Sequence, residues 1–154
     1  MIDVPKIVQT TDQLTAAIRF RIPKADIQKV MGPAIEELMA VTAAQGVGPA
    51  GAWFSHHFRF DPDEWDFEVA VPVLAPVTPS GRVQPGRMPA ARVARTIYHG
   101  AYDGMGAAWG QLTKWIEEHG HVPGRDFWEV YRTGPESSLD PANWRTELNW
   151  TVAG

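Results

Sequence analysis

The sequence predicts an α+β fold: a tandem duplication of a strand-helix-strand-strand unit that builds a curved antiparallel sheet with two main helices on one face. Three observations carry that expectation. Apolar residues alternate, then recur at spacings of three and four, then alternate twice more, and this order occurs twice along the chain. Two six-residue segments, Glu68-Val69-Ala70-Val71-Pro72-Val73 and Glu147-Leu148-Asn149-Trp150-Thr151-Val152, lie 79 residues apart, each a Glu followed by apolar residues at alternate positions. Between the halves, Ala75 to Pro89 is rich in proline and glycine.

In the first half, Ala16–Ile22 alternates with period two and reads as a strand ended by Pro23. Asp26 is a suitable N-cap for a helix carrying Ile27, Met31, Ile35, Leu38 and Val41, and Gly46 and Gly48 stop it. Strands are expected near Ala52–Phe60 and Phe67–Val73, joined by a turn at Asp61-Pro62-Asp63-Glu64. Repeat 1 thus covers about residues 5–74, and 75–89 reads as a connector rather than a core element. Repeat 2, about 90–154, opens with a strand over Ala91–His99. A helix over Tyr102–His119 follows, with Met105, Trp109, Leu112, Trp115 and Ile116 on one stripe and Gly120 as its stop. Its start at Asp103 lies 77 residues after Asp26. Strands over Phe127–Arg132 and Thr146–Val152 complete it, with Asp140-Pro141 in the turn between them.

Composition narrows the chemistry. A chain of 154 residues buries enough surface for a full core without staples. It has no cysteine, which removes disulfides, thiolate nucleophiles and cysteine-ligated zinc together. The net charge of −4, with basic residues scattered, gives no footprint for a phosphate backbone, so nucleic acid is not an expected partner. No apolar run approaches a membrane span and the first residues lack a secretory pattern, so a cytoplasmic location is expected, away from membranes. Adjacent His56 and His57 face opposite ways in a strand, and His119 and His121 flank a helix-stopping glycine, so no metal or other cofactor is expected. Gly81–Gly86 and Gly104–Gly106 lack the setting of a nucleotide loop, and no Gly-x-Ser-x-Gly elbow is present.

Seven tryptophans, at 53, 65, 109, 115, 128, 144 and 150, supply core or the lining of a cavity. Strand parity sets Leu148, Trp150 and Val152 on one face of the last strand and Glu147, Asn149 and Thr151 on the other. If the apolar set meets the helix, Glu147 points into the cleft that the sheet halves enclose. The same parity groups Glu129 with Tyr131, and Tyr98 with Thr96, so Glu147, Tyr131 and Tyr98 are expected to converge. His99, at a strand end, is placed to donate into the cleft, and Trp53, Trp109, Glu129, Glu68 and Asn149 are candidate ligand-binding residues. A carboxylate among rings either pairs with a cationic aromatic ligand or acts as a general acid or base. The bland alternative for Glu147 is a solvated sheet face or a pair with Arg145.

Four segments together resemble the GyrI-like, or AraC effector-binding, domain family. They are Met88-Pro89-Ala90-Ala91-Arg92-Val93-Ala94, Tyr98-His99-Gly100-Ala101-Tyr102-Asp103, Trp128-Glu129-Val130-Tyr131 and Trp144-Arg145-Thr146-Glu147-Leu148. The family is marked by a His-Gly-Pro-Tyr segment, a Trp-Glu-x-Tyr strand and a closing Thr-Glu-[Ile/Leu]-x-x-Pro-Val. Here Ala101 replaces the first proline and Thr151 stands where the second normally follows the Glu strand. The resemblance implies a tandem fold with a ligand cleft between repeats and a buried Glu at position 147. Family members include effector domains of regulators, free-standing binding proteins and hydrolases that open strained cyclopropane-containing natural products. With nearly all of the chain used by the repeats, no helix-turn-helix is expected. The expectation is a free-standing monomer or weak homodimer that binds planar hydrophobic compounds, cationic ones included. The alternatives are a ring-opening hydrolase using Glu147 with Tyr98 and Tyr131, and a protein that inhibits another protein through its surface.

Overall fold

Residues 1–60, 64–135 and 137–153 are described by a computed structural model, without the side chains of 24, 28, 59 and 60. They form eight strands, β1 (Lys6–Gln9), β2 (Gln13–Ile22), β3 (Phe54–Phe60), β4 (Trp65–Pro72), β5 (Gln84–Met88), β6 (Arg92–His99), β7 (Val122–Thr133) and β8 (Arg145–Ala153), and two long helices, α1 (Ile27–Ala44) and α2 (Met105–Glu118). The chain divides into two compact units, Thr11–Ala90 and Met1–Thr10 with Ala91–Gly154.

In the first of these units the strands lie in the order β3-β4-β2-β5, all antiparallel neighbours. Every second residue of β2 (Ala16, Ile18, Phe20) and of β4 (Phe67, Val69, Val71) meets Ala34 and Leu38 of α1 in one core. Ala16, Leu38 and Phe67 are fully buried, each large side chain contributing about 1.5–3 kcal/mol by leaving water. The other unit repeats the plan as β7-β8-β6-β1, with Ala94, Tyr98 and Leu148 packed against Met105, Ala108, Leu112 and Ile116 of α2. Leu148, Trp150 and Val152 do meet the helix, as alternation along β8 predicts.

The two helices end in the same way. Gly46 adopts φ 68° and Gly120 φ 76°, the left-handed region in which a side chain is strained. The N–H groups of Gly46 and Val47 donate to the carbonyls of Ala43 and Thr42, and those of Gly120 and His121 to Glu117 and Ile116. Both are the double closure that satisfies the last helical carbonyls. The ring of His119 adds a hydrogen bond from Nδ1 to the Trp115 carbonyl, 2.9 Å away.

Three details depart from expectation. The 75–89 stretch is not only a connector. Val77 and Val83 are buried, and β5 pairs with β2. Pro85 is tolerated there because β5 is an edge with no ladder to serve on its far side. A side chain at Gly86 would collide with Thr15 Oγ1, 2.6 Å from its Cβ. The helix starts do not use their aspartates as side-chain caps. Asp26 sits at the N-cap but makes no capping bond, lying instead 3.5 Å from Lys29 Nζ, and Asp103 falls within a 3-10 turn (Tyr102–Gly104) before α2. Finally, β1 packs beside β6, so the first ten residues join the second half. The expected turn at 61–64 lies, except for Glu64, outside the described residues. Among those described, no helix is long and apolar enough to cross a membrane.

Candidate functional site

The sequence Phe127-Trp128-Glu129-Val130-Tyr131 in β7 has apolar or aromatic residues on both parities, so only register decides which face meets the helix. Against β8, Phe127 stands opposite Trp150, Glu129 opposite Leu148 and Tyr131 opposite Thr146. Opposed residues share a face, so Glu129 and Tyr131 lie on the α2 side with Leu148 and Trp150. Trp128 and Val130, opposite Asn149 and Glu147, lie on the reverse side.

On the α2 side the Glu129 carboxylate accepts two hydrogen bonds from neutral donors, from Trp109 Nε1 to Oε1 at 2.8 Å and from the Tyr131 hydroxyl to Oε2 at 2.7 Å. Among the described residues no cation pairs with it. Rings continue outward from this point. Trp109 meets Phe127 and Trp150 edge-on at 4.8 and 5.5 Å, Phe127 and Trp150 stack at 4.6 Å, and Tyr102 lies 6.1 Å from Tyr131 and 5.0 Å from Trp144. Glu129 is only half-buried by accessible surface, yet protein atoms surround its carboxyl. Burial pushes that carboxyl up from the ordinary range, while the bonds from Trp109 and Tyr131 pull it down. Such a group is suited to hold a positive charge or to exchange a proton.

Glu147 occupies a different setting. It is buried, on the face away from α2, and its Oε1 accepts from Arg132 Nη2 and lies 3.5 Å from Arg95 Nε. Fully buried Asn149 donates to Glu147 Oε2 at 3.2 Å and accepts from Arg95 Nε at 2.7 Å. Its neighbours are therefore guanidinium and amide groups. Arg145, the partner considered from sequence, donates to the carbonyls of Ala142 and Trp144 instead.

The expected convergence of Glu147, Tyr131 and Tyr98 does not occur. Tyr98 stands opposite Thr146, on the α2 face, where its hydroxyl donates to the Ala101 carbonyl at 2.6 Å. The ring fills the space beside Gly104, where an added Cβ would lie 2.2 Å from the hydroxyl oxygen. Parity within each strand was sound; the relative register of the strands was the missing quantity, and β7 carries irregularities at Pro123/Phe127 and Tyr131/Thr133. His99 is held by Asp3, Nε2 to Oδ1 at 2.7 Å. Trp53 packs against the α1 core, and Glu68, on the face away from α1, lies 3.9 Å from His56 Nδ1. Sequence reading passed over the pairing of Ser55 with His57 and the two arginines at Glu147. The first was legible as an i, i+2 polar pair in an aromatic strand, and the second required cross-strand register. Among the described residues, no group of three or more His, Asp or Glu side chains is placed to hold a metal ion.

The fold is shared with solved structures of low sequence identity. The EcmrR–DNA complex in EcmrR-RPo superposes with a TM-score of 0.85 at 22% identity, covering 98% of this chain and 57% of that one, so this chain spans little more than half of that protein. A hydrolase encoded by lin2189 from Listeria innocua gives a TM-score of 0.70 at 14% identity, with 97% and 91% covered. SAV2435 bound to tetraphenylphosphonium gives 0.64 at 12%, with 97% and 98% covered. No curated protein sequence matches. The family model described as the GyrI-like small molecule binding domain matches residues 4–153, and over that length the chain belongs to this family.

Proposed function

We propose that this chain binds a hydrophobic aromatic cation at Glu129, with Trp109, Tyr131 and Phe127 as ring contacts. One observation carries the reading: the Glu129 carboxylate is held by two neutral donors and, among the described residues, by no cation, whereas Glu147 already has Arg95 and Arg132 beside it. A negative charge among rings without a counter-charge is raised in energy, and a ligand that brings the positive charge together with aromatic surface relieves that cost. The similarity to SAV2435, solved with tetraphenylphosphonium, supports the choice of ligand class. On this reading Glu147 anchors two arginines and Tyr98 is a packing residue.

Calorimetry with tetraphenylphosphonium and the neutral triphenylphosphine oxide tests it. Glu129→Gln weakens the cation by roughly 10- to 100-fold, the scale of an interaction with a charged group, and leaves the neutral compound nearly unchanged. Equal losses for both would remove charge recognition.

A second reading is favoured by the raised carboxyl of Glu129 beside the Tyr131 hydroxyl. There Glu129, in place of the sequence-based choice Glu147, activates water or protonates a leaving group on a strained electrophile, with Tyr131 assisting. Positioned acid–base catalysis contributes typically ~10²–10⁴-fold, so Glu129→Gln lowers turnover by that order. Mass spectrometry of incubated cyclopropane-containing compounds distinguishes the readings, since hydrolysis adds the mass of water and binding returns the compound intact.

A further inference from the structure

On the face of the second-half unit turned away from α2, Lys6, Arg95 and Arg132 come together in a chain whose net charge is −4. Register sets Lys6 of β1 opposite Arg95 of β6, Arg95 opposite Asn149 of β8, and Asn149 opposite Trp128 of β7, a row across four strands. Arg132 reaches the same face through its bond to Glu147. Arg95 and Arg132 thus flank one buried carboxylate, with Lys6 across from Arg95 on the neighbouring strand. The other carboxylates on this face are engaged, Asp3 with His99 Nε2 at 2.7 Å and Asp126 accepting from Thr151 Oγ1 at 3.2 Å.

Arg95 is held from one side only. Its Nε donates to Asn149 and faces Glu147, and neither Nη group has a hydrogen-bond partner among the described residues. The side chain is about one quarter exposed, at 24%. A guanidinium fixed through Nε presents its two Nη groups as a planar fork, the geometry that receives two oxygens of a carboxylate or phosphate. Lys6, exposed and without an ion pair among the described residues, stands directly across from it. Like charges at opposed positions disfavour a sheet, and a bound anion offsets that repulsion.

We propose that Arg95, with Lys6 beside it and Arg132 across Glu147, forms an oxyanion site for a small carboxylate or phosphate ligand, separate from Glu129 and on the other face of the same strands. Glu147 and Asn149 serve the site by fixing the Nε side of the fork.

Titration of the intact chain with citrate, inorganic phosphate and sodium chloride at matched ionic strength, followed by calorimetry, tests this. Citrate or phosphate binds saturably and chloride does not; the tighter of the two names the oxyanion class. Arg95→Gln weakens binding by ~10-fold or more, as expected for a charge-assisted bidentate contact, and Lys6→Gln by ~3-fold. Because Arg95→Gln and Arg132→Gln each remove a partner of Glu147, the surface variant Lys6→Gln, which removes none, keeps the test decisive if either of those proteins does not fold. Binding of both anions that matches chloride, or that is unchanged in Lys6→Gln, overturns the proposal. Tetraphenylphosphonium binding stays unaltered in Lys6→Gln, so failure at one site is separable from failure at the other.

Discussion

At the strand positions where the second-half unit carries Glu129 and Tyr131, the first-half unit carries Ser55 and His57. Glu129 and Tyr131 of β7 stand opposite Leu148 and Thr146, and Ser55 and His57 of β3 stand opposite Val69 and Phe67, the corresponding places on β4. Both pairs lie on the side of their own helix and each is hydrogen-bonded across two residues, at 2.7 Å for Tyr131 to Glu129 and 3.2 Å between His57 Nε2 and Ser55 Oγ. The difference is charge. Burial holds His57 down to about 4, with His56 beside it adding to the effect, so the first pair is neutral near pH 7. The second pair contains a carboxyl. Duplication has kept the scaffold and the polar pair while confining the acidic group to one copy, which is why the proposed cation site belongs to the second-half unit.

The comparison breaks first at the cores. Leu38 and Leu112, both fully buried, precede Gly46 and Gly120 by the same eight residues, so they are equivalent positions. Leu38→Ala and Leu112→Ala should each cost about 2–5 kcal/mol in denaturant unfolding. A cost confined to one unit would show that the two cores are not alike.

Acid and base should act on the two pairs in opposite senses. His57 takes up its proton at about 4 in the folded chain and near 6.5 when unfolded, so between those values the unfolded state binds more protons. Stability attributable to His57 is therefore complete above about 6.5 and is lost as pH falls toward about 4, by about 3 kcal/mol. Glu129 is raised, so the unfolded carboxyl ionises first and stability declines as pH rises through the unfolded value toward the folded one. His57→Leu should flatten the acid limb of a stability–pH curve and Glu129→Gln the decline above it. Unaltered curves in both variants would mean that neither pair titrates as described.

Smaller effects sharpen the scaffold. Gly46→Ala and Gly120→Ala place a side chain at φ 68° and 76°, and each should cost roughly 1–2 kcal/mol by thermal unfolding. Unequal costs would show that one helix end tolerates the strain.

The scaffold was legible in the sequence because its signals are local. Alternation in β2 and β8, the three-and-four spacing of α1 and α2, and the glycines that close both helices each involve residues close in the chain. The site was legible only in pieces. Pairing Glu129 with Tyr131 and placing Trp109 on the helix stripe required parity alone, and both stand in the structure. The choice of Glu147 as the acidic centre required knowing which parity of β7 and β6 shares a face with β8. That depends on register and on the irregularities of β7, which no residue type announces. Similarly, the prolines of 75–89 hid an edge strand, because edge pairing tolerates residues that a central strand excludes.

On the proposed function, the carboxylate at Glu129, rather than the one at Glu147, recognises a ligand's positive charge. Calorimetry of tetraphenylphosphonium on Glu129→Gln and Glu147→Gln, with folding of both checked by circular dichroism, tests it most directly. A roughly 10- to 100-fold loss is expected in the first variant and near wild-type affinity in the second. Wild-type affinity in Glu129→Gln, with the loss appearing in Glu147→Gln, would contradict it.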